Sequence, residues 1–139
     1  MKTRILIPIL LVLLLAGCTA DRPSAGTEWL LDSMVVNGDT IDLSSNNPIT
    51  LKISDSNQVG GSSGCNTYFG EIEFKSGGGL TAEAFGATEM ACENGMDTEA
   101  AFLGALSRVD SYTYSEFELV LTGDGSQTVL TFLLLQTAE

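Results

Sequence analysis

The chain has 139 residues, 44% of them hydrophobic, which sets the scale of a single domain. It carries 18 acidic against 6 basic residues, a formal net charge of −12, and no histidine. That balance excludes nucleic-acid binding, which needs basic patches to displace counterions. The lack of histidine also leaves a zinc site or a histidine-activated nucleophile without its usual residue.

The first 17 residues read apart from the rest. Lys2 and Arg4 make a basic start, and Ile5 to Leu15 is an apolar run broken only by Pro8. The run is shorter than the roughly 20 residues of a spanning helix. A secretory signal peptide over 1–17 is therefore expected, with a buried core helix as the other reading of such a run. Leu15-Ala16-Gly17-Cys18 resembles a bacterial lipobox. The resemblance implies cleavage before Cys18 and lipidation of Cys18. Three acyl chains then anchor the protein where one would hold only marginally, at about 0.8 kcal/mol per buried methylene. Thr19 in place of an aspartate resembles the Gram-negative pattern of an outer-membrane lipoprotein facing the periplasm. The expected mature chain, 18–139, keeps 4 basic and 18 acidic residues, for a net charge of −14. Such acidity keeps an exported domain soluble, and it offers a face to a basic partner as an alternative.

Residues 18–27 are expected to be a lipidated, flexible tether and 28–139 the domain. Glu28 to Val36 reads as a half-buried strand, with Trp29 packing in the core or at a barrel end. Asn37-Gly38-Asp39 is a turn signal, and Thr40 to Leu43 is expected as a short strand. Ile49 to Ser54 alternates strictly. Gly60 to Gly64 is glycine-rich and is expected to bend the chain before Asn66 to Phe74 returns as a strand. Leu80 to Phe85 reads as a further strand. A helix follows, capped by Asp97 or Thr98, with Glu99 near its positive end and an apolar face of Phe102, Leu103, Leu106 and Val109. Strands over Tyr112 to Ser115, Phe117 to Thr122 and Gln127 to Leu135 close the chain. The fold class is mainly β (α+β): a small antiparallel curved sheet or open barrel of about 7–8 strands, with one helix covering an opening.

Few residues carry chemistry. With Cys18 assigned to lipid, Cys65 and Cys92 remain as an even pair in an oxidising compartment. A bridge between them closes a loop of about 27 residues and stabilises by roughly 3–4 kcal/mol. Two buried thiols in separate strands are the other reading. Gly60-Gly61-Ser62-Ser63-Gly64 matches the nucleophile-elbow pattern formally, but a strand rather than a helix follows it. Lys52 and Lys75, the only mature lysines, sit in strand positions. Glu71 and Glu73 share one face of a strand and read as its wet side rather than as an acid–base pair. Asp39, Asp42 and Asp124 are loop carboxylates without an EF-hand loop. No catalytic residue, metal site or cofactor is expected.

The domain resembles a known family through Trp29-x-Leu31, Gly64-Cys65-Asn66 with Tyr68 and Gly70, Thr88-x-Met90-Ala91-Cys92, then Glu99, Phe102, Leu106, Tyr112 and the Leu119 to Leu121 strand. This is similar to the META domain (HslJ-like) family, from about Glu28 to Leu135. The resemblance implies a compact, mainly β fold, an envelope location and a link to heat shock and drug tolerance, with no catalytic residues to transfer. Cys65 and Cys92 fall on its paired positions. The expected function is that of a non-enzymatic, lipid-anchored envelope protein that binds an envelope component. The alternative is an inhibitor or small-ligand binder acting on a basic envelope enzyme. The apolar finish, Phe132 to Leu135, would be a docking surface if it formed an edge strand.

Overall fold

Alternation of apolar and polar side chains builds most of this molecule. The computed structural model describes residues 21–44 and 47–136, so the expected signal segment and Cys18 lie outside the described residues. The strands are β1 (Glu28–Val36), β2 (Asp39–Thr40), β3 (Thr50–Ile53), β4 (Gln58–Ser62), β5 (Thr67–Phe74), β6 (Leu80–Ala87), β7 (Val109–Tyr114), β8 (Glu118–Gly123) and β9 (Thr128–Gln136). The helix α1 (Met96–Leu106) stands between β6 and β7. In β5, Tyr68, Gly70, Ile72 and Phe74 are buried while Thr67, Phe69, Glu71 and Glu73 are exposed. That is the period of two of a pleated strand with one wet face.

The strands pair in the order β6-β5-β4-β3-β1-β9-β8-β7, with β2 attached to β1. Each pairing is antiparallel. The two end strands approach each other, and the sheet nearly closes into a barrel. The Tyr112 N–H donates to the Gly78 carbonyl at 2.7 Å, and Gly79 bridges Ser111. Gly78 permits this contact: its φ is +89°, and a Cβ there would lie 3.1 Å from the Tyr112 carbonyl oxygen. Closure of this kind shields edge strands from foreign pairing.

One end of the barrel, here the lower, carries the start of β1 and the turns after β3, β5 and β7. Residues 21–27, expected as part of a flexible tether, pack across this end instead. Pro23 and Thr27 are buried, the Gly26 N–H donates to the Ile53 carbonyl at 2.7 Å, and the Tyr112 hydroxyl, which donates to the Lys75 carbonyl at 2.8 Å, lies 3.4 Å from the Asp21 carbonyl. Trp29 is fully buried above this strap. Its indole N–H donates to the Thr27 hydroxyl at 2.9 Å, which donates to the Ser24 carbonyl at 2.7 Å. A buried indole needs such a partner, and the strap supplies it.

The upper end is covered by α1. Phe102, Ala105 and Leu106 are fully buried, and the Phe102 ring meets Tyr68 at 5.3 Å and Phe132 at 6.5 Å between centroids. The helix starts at a left-handed Gly95 with φ 92° and no side-chain cap hydrogen bond, where Asp97 or Thr98 was expected to cap it. It ends at Leu106, so Val109 belongs to β7 rather than to the helical face. The second strand is shorter than expected, at Asp39–Thr40. Gly60 and Gly61 lie inside β4, and the bend falls later, at Ser63 to Asn66. The apolar finish, Phe132 to Leu135, does not form an edge strand: β9 lies between β1 and β8.

Phe102→Ala is expected to lower the free energy of unfolding by about 3–5 kcal/mol, the usual cost of removing a buried ring. Phe117→Ala, which truncates a side chain 68% exposed, should change it by no more than about 0.5 kcal/mol. Urea denaturation followed by circular dichroism measures both. Equal costs would contradict a core centred under the helix.

Candidate functional site

The bend before β5 holds the densest polar cluster in the described residues. Asn66 is buried at 3% exposure, and its carboxamide is hydrogen-bonded to Glu99, Met90 and Thr88. Its Nδ2 donates to Glu99 Oε1 at 2.8 Å and to the Met90 carbonyl at 3.3 Å. Its Oδ1 accepts from the Thr88 hydroxyl at 2.9 Å and the Met90 N–H at 2.7 Å. These contacts use both amide protons and both acceptor positions of the carboxamide. The Asn66 N–H donates to Glu99 Oε2 at 2.8 Å, and the Ser63 hydroxyl donates to the same oxygen. One side chain therefore joins the β4–β5 bend, the irregular segment after β6 and the first turn of α1.

Glu99 is 8% exposed. Burial opposes its charge, yet hydrogen bonds from the Ser63 hydroxyl, the Asn66 side chain and the Asn66 and Cys65 N–H groups outweigh that cost. Together they hold the carboxyl below its usual range. The carboxylate also lies in the first turn of α1, where the helix dipole favours negative charge. Glu99 was legible in the sequence only as a helix-start acid. Its role as the anchor of Asn66 depends on residues 33 positions apart.

Cys65 and Cys92 are joined by a disulfide spanning 27 residues, with Cα atoms 6.0 Å apart. The bridge lies beside the Asn66 contacts to Thr88 and Met90, so a covalent and a polar clamp hold the same loop. Ser62 sits at the end of β4, where its Oγ accepts from the Gly64 N–H at 3.2 Å. Asp42 accepts from the Ser44 N–H at 2.9 Å, which holds its carboxyl below the usual range. Asp124 accepts from Arg108 at 2.9 Å and from the Thr128 hydroxyl at 2.8 Å. Among the described residues, no three His, Cys, Asp or Glu side chains gather to hold a metal ion, and no helix is long and apolar enough to cross a membrane.

A second feature lies on the outer face of the barrel. A row of cross-strand neighbours runs from Glu28 through Lys52, Gly60 and Phe69 to Gly86. Gly60 puts no side chain between Lys52 and Phe69, which leaves an open trough of about 590 Å³. A Cβ on Gly60 would lie 2.8 Å from the Tyr68 carbonyl, and one on Gly61 would lie 2.4 Å from that of Thr50. The glycines thus allow close strand pairing and form the trough floor at once. Phe69 is 62% exposed, and its ring lies over Gly86. On the inner face, Phe85 fills the space over Gly70. A bulge allows this, because Ala84, with φ 56°, and Phe85 together oppose Gly70. Glu71 belongs to the trough wall, beside Gln58. Phe69 carried a signal in the sequence, since it stands in phase with Glu71 and Glu73 on the wet side of β5.

Asn66→Ala should cost about 3 kcal/mol, because it leaves a buried carboxylate and the Met90 backbone short of partners. Reducing the disulfide should cost a further 3–4 kcal/mol or so on the chain-entropy estimate. The folded pKa of Glu99 lies below its unfolded value of about 4.3. Its contribution is therefore complete above pH ~4.3 and is lost as pH falls through the folded value. Glu99→Gln should destabilise by about 2–3 kcal/mol at pH 7, and the gap to the parent should shrink below pH ~4 as the parent carboxylate takes up its proton. Denaturation midpoints between pH 2 and 7 test the sign. A gap independent of pH would contradict an ionised Glu99.

Comparison with known proteins agrees with this architecture. The family model for the META domain matches residues 22–136. A protein from Burkholderia xenovorans solved by NMR is 31% identical, with a TM-score of 0.68 over 81% of this chain and 84% of that one. A second NMR structure is 24% identical, with a TM-score of 0.57 over 78% and 89%. A DUF4847 family protein from Bacteroides vulgatus, at 13% identity and a TM-score of 0.55 over 78% and 92%, shares the fold. No curated protein matches the chain. The match spans the lower strap, the Gly64-Cys65-Asn66 bend, Glu99 and the final strand, and on it the chain belongs to the META domain family.

Proposed function

We propose that this chain is a lipid-anchored, non-enzymatic binding module of the bacterial cell envelope, held on the outer membrane and facing the periplasm. It supports envelope integrity or tolerance of stress and drugs by holding an envelope component in the trough beside Phe69. The trough carries this reading. Its volume, about 590 Å³, falls within the range of small-molecule sites, and it combines an exposed aromatic wall with polar side chains from four strands. Lys52, Gln58, Glu28 and Glu71 can donate or accept around one apolar platform. The polar cluster at Asn66 serves instead to fix the fold, since Ser63 and Glu99 are buried and committed to hydrogen bonds.

A second reading, an inhibitor of a basic envelope enzyme, is favoured by one observation. Glu71, Glu73 and Glu83 line a shared outer surface with Asn57 and Thr81, and Glu71 and Glu83 are direct cross-strand neighbours. Like charges opposed across strands cost stability, and a basic partner would relieve that cost.

In-cell photocrosslinking separates the two. A photoreactive residue replaces Phe69 in one strain and Glu73 in another, and captured species are identified by mass spectrometry. Capture of an envelope component from position 69, reduced at least tenfold by Lys52→Ala, supports the trough reading. Capture of a basic enzyme from position 73 alone, abolished by high salt, would replace it with the inhibitor reading. No specific capture at either position would sink both.

A further inference from the structure

Of the described residues, six large hydrophobic side chains are exposed, and three of them belong to the β8–β9 side of the lower half of the barrel: Phe117, which shares a cleft with Leu134, and Leu133 and Leu135 on the outer wall, Leu133 directly opposite Glu118. Phe117 is 68% exposed at the tip of the turn between β7 and β8. Leu135 and Leu133, at 55% and 41%, are on the outer side of β9 towards that same end. The turn is braced rather than loose. The Ser115 N–H donates to the Glu118 carbonyl at 2.8 Å, the Glu118 N–H donates to the Ser115 hydroxyl at 3.1 Å, and the Leu134 N–H donates to the Phe117 carbonyl at 2.9 Å. A ring presented on a braced turn loses little conformational freedom when it is buried.

The N-terminal strap reaches the same place. Ser24 and Thr27 share a cleft of about 260 Å³ with Phe117 and Leu134. Asp21, the first described residue, lies at the lower rim, its carbonyl 3.4 Å from the Tyr112 hydroxyl. Only Thr19 and Ala20 lie between Cys18 and Asp21, so their Cα atoms are at most about 11 Å apart even in a fully extended chain. Had residues 21–27 been a free tether, the domain would range over several times that distance. Because they are packed against the barrel, an acyl chain on Cys18 pins the lower rim close to the headgroups, whose layer is itself only about 6 Å thick.

We propose that Phe117, Leu133 and Leu135 form a membrane-docking rim, which seats the lower end of the barrel on the bilayer entered by the acyl chains of Cys18. This rests on the lipid-anchored reading above and deepens it by orienting the domain. The occupant is the lipid surface itself. Tethering gives a high effective concentration, so a small apolar contact that would not bind free protein to membranes is sufficient. Glu116 and Glu118 flank Phe117, and with Asp21, Glu28 and Asp55 they outnumber Arg22 and Lys75 at the same end, so the rim is net acidic. Docking is by apolar insertion and gains nothing from anionic lipid. The disulfide and the Asn66 cluster, at the upper end, then face away from the membrane.

The test uses full-length protein purified from bacterial membranes. Its N-terminal peptide is checked for lipid by mass spectrometry before reconstitution into vesicles of phosphatidylcholine, with and without a quarter of phosphatidylglycerol. Phe117→Trp adds an indole at the rim. Phe69→Trp adds one five residues before the lower end of β5, about 16 Å further up the barrel. Brominated lipids should quench the added emission of Phe117→Trp at least twofold and leave that of Phe69→Trp within about a tenth of its unquenched value, with no stronger quenching in the vesicles that contain phosphatidylglycerol. Hydrogen exchange of the unmutated protein supplies a readout free of folding effects. Amides at 115–118 should exchange at least fivefold more slowly on vesicles than in the Cys18→Ser protein in solution. Lipid on Cys18 with no quenching at position 117 and no added protection would overturn the docking rim alone, leaving that face to a protein or a second copy. An unlipidated Cys18 would overturn the anchor and the docking rim together.

Discussion

The bond between Asn66 and Glu99 is the constraint on which the upper half of the barrel depends. Asn66 sits where the chain leaves β4 and must turn through Ser63 to Asn66 before pairing again as β5. A bend of this kind exposes backbone groups that no ladder can satisfy, and burying them under a helix would be costly. Glu99 answers that need with one carboxylate, which accepts from the Asn66 N–H, the Asn66 amide and the Ser63 hydroxyl. The same asparagine then fixes Thr88 and Met90. Three segments distant in sequence are set by one side chain, and the Cys65–Cys92 bridge makes the arrangement covalent.

A second constraint acts at the barrel wall, where glycine does opposite jobs on its two faces. Gly70 faces inward and is covered by Phe85, while Gly86 faces outward and is covered by Phe69. Gly60 faces outward with no ring over it, and the trough opens there. The wall therefore has both filled and unfilled glycine positions, and the unfilled one lies between a lysine and an exposed ring. That contrast separates a packing glycine from one that leaves room for a ligand.

Charge and address combine with this geometry. The chain is strongly acidic, with 18 acidic and 6 basic residues, and carboxylates such as Glu71 and Glu73 are solvated on the polar phase of a strand. Glu99 is the exception, since it is buried and held ionised by donors rather than by a counter-cation. Arg108 and Asp124 form an ion pair at the surface, with about 40% of each side chain exposed, and pairs of that kind contribute little. Stability here comes from the rings around Phe102 and from the Asn66 cluster.

The linear chain determined whatever depends on local pattern. The alternation in Ile49 to Ser54 and in Tyr68 to Phe74, the turn at Asn37-Gly38 and the apolar stripe of Phe102 and Leu106 placed strands, turn and helix close to where they lie, and the even cysteine pair named the bridge. The rest needed the closed sheet. Nothing near Thr27 in sequence shows that it will receive the Trp29 indole proton, so residues 21–27 read as a polar tether until the barrel end is present to hold them. Gly60 and Gly61 read as a bend because local propensity favours one, and pairing with β3 and β5 overrides it by demanding close approach. The final apolar strand carried no sign of its place in the sheet, and its central position was decided by which neighbours, β1 and β8, covered its two sides. Glu99 became a structural anchor only when α1 was laid against a bend 33 residues away, because a hydrogen bond depends on distance in space and a sequence records only distance along the chain.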